Sequence, residues 1–265
     1  MLASTCERTW LDTNGGEIKN MFSYNEYKNL IEIIRKHLPI VDFTEVGENT
    51  KRFCVLRHDI EFSIDRALRF AKLENQIGVQ STYTVQLRNN TYNALSEKNI
   101  KSIQYIKNLG HNIGLHQNPP VMSKPKLVDY ILKDIETFEH YYDFEIDRFA
   151  FHRCGSNPQL LEWYVQVPNK INCYDRKFFH YFDKKPDKLD VLYLSDSNHQ
   201  WKYGYPLDFD FSKVDKLQLL THPFSWTSGG FDNYGNFLTL LKERNDEMLW
   251  DMETENKAFP KELLI

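Results

Sequence analysis

Five short apolar runs in this chain each end in a histidine or a carboxylate. Phe53–Arg57 leads into His58-Asp59-Ile60-Glu61, and Ile113–Leu115 leads into His116. Phe149–Phe151 leads into His152-Arg153, Tyr193–Ser195 into Asp196, and Leu217–Thr221 into His222. The chemistry that imidazole and carboxylate share is binding of a divalent cation. Neutral imidazoles plus a carboxylate make a three-ligand site with an open position, where bound water loses a proton near neutral pH. Zinc suits such a donor set, and other divalent ions are accepted by it. A further carboxylate near the bound water can serve as general base, and a histidine on the far side as general acid.

Taken singly, each residue has a plainer reading. Asp59 can be a turn residue before a helix, and Asp196, between two serines, is a good turn former. His116 and His222 can end strands ahead of prolines, and His152 can sit in a solvated loop. Convergence of five is what favours a site. Cys154, on the same strand face as His152, reads as a buried inert thiol rather than a nucleophile. His37, His140, His180 and His199 end no clearly buried run and read as ordinary residues.

The elements that would position these residues alternate between strand and helix. After Phe53–Arg57, Ser63 caps a helix with Ile64, Ala67, Leu68 and Ala71 on one face, and Gly78 stops it. Val79–Leu87 is rich in β-branched and aromatic residues and reads as a strand. Ser96 opens a helix that Gly110 ends, followed by the strand His111–His116. Ser123 caps a longer helix, with Pro125 in its first turn. Phe149–Phe151, Ile171–Tyr174, Val191–Leu194 and Leu217–Leu220 are further strands, Pro158–Val165 is a short helix, and Tyr234–Trp250 is a closing helix. Such alternation predicts a parallel sheet covered by helices, closed or strongly curved: a distorted (β/α) barrel of about seven strands. Parallel strands deliver their C-terminal ends to one rim, where active sites of barrels lie.

Composition narrows the classes. The chain has 265 residues, with Lys+Arg 33 against Asp+Glu 37 and a net charge of −4. There is no basic stripe, so nucleic acid is excluded as a partner. No apolar run approaches the roughly 20 residues of a membrane span, and no basic amphipathic helix offers a stable membrane anchor. Cys6, Cys54, Cys154 and Cys173 show no CxxC spacing, so a disulfide framework is not expected. With Cys6 and charges where a signal peptide needs an apolar core, the expected setting is cytoplasmic.

The ordered motifs resemble a known family. Phe53-Cys-Val-Leu-Arg-His-Asp-Ile-Glu, Gly78-Val-Gln-Ser-Thr-Tyr and Gly110-His-Asn-Ile-Gly-Leu-His are similar to motifs of the polysaccharide deacetylases, the fourth carbohydrate esterase family. Phe151-His-Arg, Leu194-Ser-Asp-Ser with Trp201, and Leu219-Leu-Thr-His-Pro with Trp226 resemble its later motifs, in the same order. More narrowly, they resemble a branch that opens on Arg-His-Asp-x-(Asp/Glu) and is associated with bacterial O-antigen or capsule biosynthesis.

The resemblance implies a single domain over residues 1–265, with 1–50 as an N-terminal extension carrying the first helix. It implies a divalent metal, zinc first, held by Asp59, His116 and His152, with His111 a weaker alternative to His152. Typical members place an aspartate base where His58 stands here, which leaves Glu61 as the substitute. The His-x-x-x-His motif is broken, because Pro120 follows His116 by four residues. His222 matches the late histidine that acts as acid toward the leaving amine. Arg153, Asp196, Trp201 and Trp226 are the expected substrate-binding residues. The expected activity is hydrolysis of an N-acyl or O-acyl sugar on a nucleotide- or lipid-linked polysaccharide precursor. The departures keep two other readings open, a catalytically degenerate carbohydrate-binding protein on this fold and a hydrolase of small cyclic amides or ureides.

Overall fold

The computed structural model describes residues 21–179 and 191–263. They fall into two compact units, one of Lys28–Phe224 and one built from the segments ending at Tyr27 and beginning at Ser225. The larger unit holds seven strands: β1 (Phe53–Ile60), β2 (Thr82–Val85), β3 (Asn112–Gln117), β4 (Arg148–Phe151), β5 (Ile171–Asn172), β6 (Leu192–Ser195) and β7 (Lys216–Thr221). They lie in the order β5-β4-β3-β2-β1-β7-β6, and every pair is parallel. This is the expected α/β architecture, as a curled half-barrel. Among the described residues the sheet is open between β5 and β6.

Parallel strands need crossovers, and α2 (Ile64–Gln76), α3 (Glu97–Asn108) and α4 (Lys124–Tyr142) supply those linking β1 through β4. Ser63 caps α2 as expected, its hydroxyl accepting the Arg66 amide at 3.1 Å. Ser96 and Ser123 take the cap positions of α3 and α4, but neither side chain makes a cap hydrogen bond. Three elements are shorter than the sequence pattern predicts, the strand expected over Ile171–Tyr174 being only the two residues of β5. β2 starts only at Thr82, because the Val79 amide donates to the Glu74 carbonyl and finishes the turn that ends α2. The segment after Pro158 forms a single turn, α5 (Gln159–Glu162), beyond which Tyr164 turns left-handed at φ 46°.

All eight residues of β1 are buried, so alternation along it separates two interiors. Phe53 and Val55 face inward and pack with Phe43, Val46, Ala150, Cys173, Phe178 and Val191 into an apolar plug. Arg57 and then Asp59 continue that inward face toward the C-terminal rim. His58 points the other way, to the helix layer. The core therefore changes from apolar to ionic along one strand.

In the smaller unit, Ser23 and Thr227 form a parallel bridge, with Tyr24 N–H donating to Thr227 O at 2.8 Å and Thr227 N–H to Phe22 O at 3.1 Å. α1 (Tyr24–His37) starts there and continues into the larger unit, and α6 (Asn233–Glu255) is the long C-terminal helix. Cys6 and His180 lie outside the described residues. No helix among the described residues is long and apolar enough to cross a membrane.

Candidate metal and acid–base site

Six of the expected strand-end residues gather in one cluster at the C-terminal rim. Asp59 is the most tightly held. Arg57, two residues earlier on the same face, donates from Nε to Asp59 Oδ1 at 3.0 Å and from Nη2 to Oδ2 at 3.2 Å. Thr84 Oγ1 of β2 donates to Oδ1 at 2.7 Å, where the register sets Asp59 opposite Thr84. Burial alone would raise the Asp59 pKa. The Arg57 charge, with His116, His222 and Thr84, outweighs it and holds the carboxyl well below the usual range. Arg57 is itself fixed, donating to Gln218 Oε1 at 2.9 Å and to the Tyr174 hydroxyl at 2.7 Å.

Glu61 follows β1 on a pinned loop. Its carbonyl accepts from Asn89 Nδ2 at 2.7 Å and Thr91 Oγ1 at 3.0 Å. Its carboxyl pKa is raised by burial, with Asp59 and Asp196 adding to the shift and His222 and Arg153 opposing it. His116 comes from the end of β3. His152 follows β4, with its amide donating to the Gln117 carbonyl at 2.9 Å. His116 Nε2 lies 3.1 Å from His152 Nδ1, which lies 3.6 Å from Glu61 Oε1. Burial pushes the His116 pKa down to about 3 and that of His152 down to about 4, so both rings are neutral at pH 7.

These three residues each offer a ligand atom within 4.8 Å of the other two. A test of cation fit rests on two further contacts. Gln86 Nε2 approaches His152 Nδ1 at 3.4 Å, and buried His116 Nδ1 has no hydrogen-bond partner but lies 3.8 Å from Asp59 Oδ2. With the proton on Nδ1, toward Asp59, His116 turns its Nε2 lone pair toward His152 and Glu61. Carboxylate behind imidazole is how ligand histidines are commonly oriented. The donor set therefore fits a small divalent cation. It differs from the expected trio in one member: Glu61 stands with the two histidines, and Asp59 stands behind His116.

His222, just past β7, is anchored by Asp196. Its Nδ1 lies 2.6 Å from Asp196 Oδ1, and its amide donates to the same carboxylate at 2.9 and 3.1 Å. Burial lowers the His222 pKa, but Glu61, Asp196 and Asp59 outweigh it and carry the value up to about 9. Its Nε2 faces Glu61 Oε1 at 3.8 Å. The arrangement is an imidazole backed by one carboxylate and aimed at another, which favours its protonated form.

The remaining expected residues fall elsewhere. Arg153 is exposed, on a turn at φ 56°. Trp201 is half-buried in the stretch after β6. Trp226 is a fully buried core residue of the smaller unit, packed edge-on against Phe22 at 5.4 Å and Tyr27 at 5.3 Å, so it offers no face to a sugar. His111 opens β3 and is held away from the trio, Nε2 bonding the Ala71 carbonyl at 3.0 Å. His58 is turned to α2, where Nε2 meets Glu74 Oε1 at 2.9 Å and Nδ1 meets Thr221 Oγ1 at 2.7 Å. Cys154 is buried as expected, its thiol pushed up to about 12 by burial.

Thr84, Gln86 and Gln218 were not singled out from sequence, and Arg57 only as the first residue of the Arg-His-Asp-x-(Asp/Glu) motif. Arg57 carried a usable signal, since a charge two residues before Asp59 shares its strand face. Gln218 interrupts an apolar run for the same reason, facing inward to accept from Arg57.

No family model matches the chain, and no curated protein is significantly similar in sequence. Among solved structures, one similar chain is the Xyl-CE4 domain of a multidomain xylanase from the hindgut metagenome of Trinervitermes trinervoides. It is 10% identical over 75% of this chain and 83% of that one, with a TM-score of 0.43. A family 4 acetyl xylan esterase from Clostridium thermocellum, in complex with a cobalt ion, is 15% identical over 72% and 84%, with a TM-score of 0.40. A CE4 family pseudoenzyme from Bacillus anthracis is 12% identical over 76% and 63%, with a TM-score of 0.41. These likenesses are distant.

Proposed function

We propose that the chain is a metal-dependent hydrolase that removes an acyl group from a sugar, with Glu61, His116 and His152 holding the ion. The observation that carries this reading is the clustering of that trio, two histidines and a carboxylate, with His222, which Asp196 anchors at 2.6 Å and which faces Glu61 at 3.8 Å. Two histidines and a carboxylate form a donor set of hydrolytic zinc sites. When bound, the ion would polarise the acyl oxygen and bring water to ionisation near neutral pH. Asp59, locked by Arg57 and Thr84, keeps the His116 ring oriented. His222 holds a proton on Nε2 because Asp196 anchors Nδ1, and it delivers that proton to the departing amine or alkoxide. The motif resemblance supports an acyl sugar of a surface polysaccharide as the substrate class, and the substrate we propose is its nucleotide- or lipid-linked precursor.

The test is mass spectrometry of acylated nucleotide-sugars and lipid-linked oligosaccharides incubated with metal-loaded protein. The expected result is loss of one acyl group. His222→Gln should retain the metal and lose about 10²- to 10⁴-fold in rate. Sugars that bind with no change in mass would overturn the hydrolase reading in favour of a binding protein. Wild-type rate in His222→Gln would remove His222 from the chemistry.

A further inference from the structure

α6 carries apolar side chains on two faces. Leu240 and Asn236 are buried. A second row is open to solvent: Tyr234, at 77% exposure, Leu238, Leu241, at 65%, Met248 and Met252. The steps along this row are four, three, seven and four residues, and the seven-residue step is filled at Asn245. With Leu238 as heptad position a, the row reads d-a-d-a-d-a from Tyr234 to Met252, with Asn245 at a central a position. A strict a/d row is the seam of a coiled coil, and one polar asparagine at an a position sets register and strand number at some cost in stability.

We infer that the chain forms a homodimer in which α6 pairs with α6 of a second copy as a parallel two-stranded coiled coil about a two-fold axis. A helix of 23 residues is about 34 Å long, and the row from Tyr234 to Met252 takes about 27 Å of it. Burying one Tyr, two Leu and two Met from each chain removes on the order of 1,000 Å² of surface, which reaches the lower bound for a specific interface. Parallel pairing sets Asn245 against its own copy, so each side-chain amide gains a partner. Antiparallel pairing would set Asn245 against Leu241 and bring Arg244 opposite Arg244 and Lys242 opposite Lys242. Parallel pairing puts no like charges together at the flanking e and g positions, where Phe237 meets Lys242, Arg244 meets Leu249 and Asp251 meets Asn256. The helix carries six acidic residues against two basic ones, and four of the acids sit on positions turned away from the seam. That charge opposes an anionic membrane surface as the occupant.

Sedimentation velocity of the full chain at micromolar concentration tests the pairing. The expected mass is twice that of the 31.6 kDa chain. Leu241→Glu and Met248→Glu replace exposed side chains, so each should fold and melt like wild type yet sediment as a monomer. Leu241→Cys, oxidised beside a wild-type control, should cross-link through equivalent seam positions. A monomeric wild type overturns the inference, as does a monomer that binds phosphatidylglycerol vesicles through the same row. A dimeric Leu241→Cys protein that does not cross-link overturns the parallel arrangement.

Discussion

A carboxylate that already accepts three hydrogen bonds from its own fold has little left to offer a cation. Asp59 is in that position, with two bonds from Arg57 and one from Thr84. Glu61, on the pocket side of the two histidines, has its pKa raised rather than lowered. Glu61→Gln should therefore abolish stoichiometric metal retention, measured by elemental analysis after dialysis. Asp59→Asn should weaken affinity by about 10- to 100-fold, the usual effect of losing a partner behind a ligand imidazole. The reverse ranking would return Asp59 to the ligand shell. The sequence made His116, His152, His222 and both carboxylates visible as strand-end residues. Which carboxylate stands with the two histidines was not legible, because that depends on Arg57 and on a cross-strand threonine, Thr84, far along the chain. His58 shows the same limit. Its type suggests a site residue, and only the alternation of β1 reveals that it faces Glu74.

At the scale of elements, strand ends were legible because apolar runs mark buried parallel strands, and polar residues just beyond them mark the rim. The lengths of β2 and α5 were not, since they are decided by helix-ending hydrogen bonds and a left-handed residue rather than by apolar pattern. One glycine lets two strands approach closely, beside Thr84 in the sheet register. A Cβ on Gly114 of β3 would stand 2.8 Å from Arg148 Cγ and 3.1 Å from the Arg148 carbonyl. Arg148 cannot give way easily, because it reaches across β3 to Thr82 Oγ1 at 2.8 Å and pairs with Asp42. Gly114→Ala should cost about 1–3 kcal/mol, the range for overpacking a filled interior, read as a lower urea midpoint with unchanged slope. An unchanged midpoint would mean that β3 and β4 separate freely there.

For the whole molecule, the pocket's histidines set a pH dependence of stability in the metal-free protein. His116 and His152 have folded values of about 3 and about 4, below the ordinary 6.5. Between those values and 6.5 the unfolded chain binds protons that the folded one refuses, so stability falls as pH drops below 6.5. Glu74, lowered to about 2 by His58 and Ser81 against the effect of burial, adds to the loss below pH 4.5. His222 works in the opposite sense. Its folded value of about 9 lies above 6.5, so its contribution is complete below pH 6.5 and disappears as pH rises through 9. The two tendencies meet near pH 6.5, and urea midpoints of the metal-free protein should peak there and decline on both sides. His222→Gln should flatten the alkaline limb and leave the acid limb in place. Added zinc should raise the midpoint most at the alkaline end of the range, because protons compete with the ion for His116, His152 and Glu61. A midpoint that climbs steadily from pH 6.5 to 9 without metal would show that His222 is not held protonated by Asp196 and Glu61, and the acid assigned to the pocket would be lost with it.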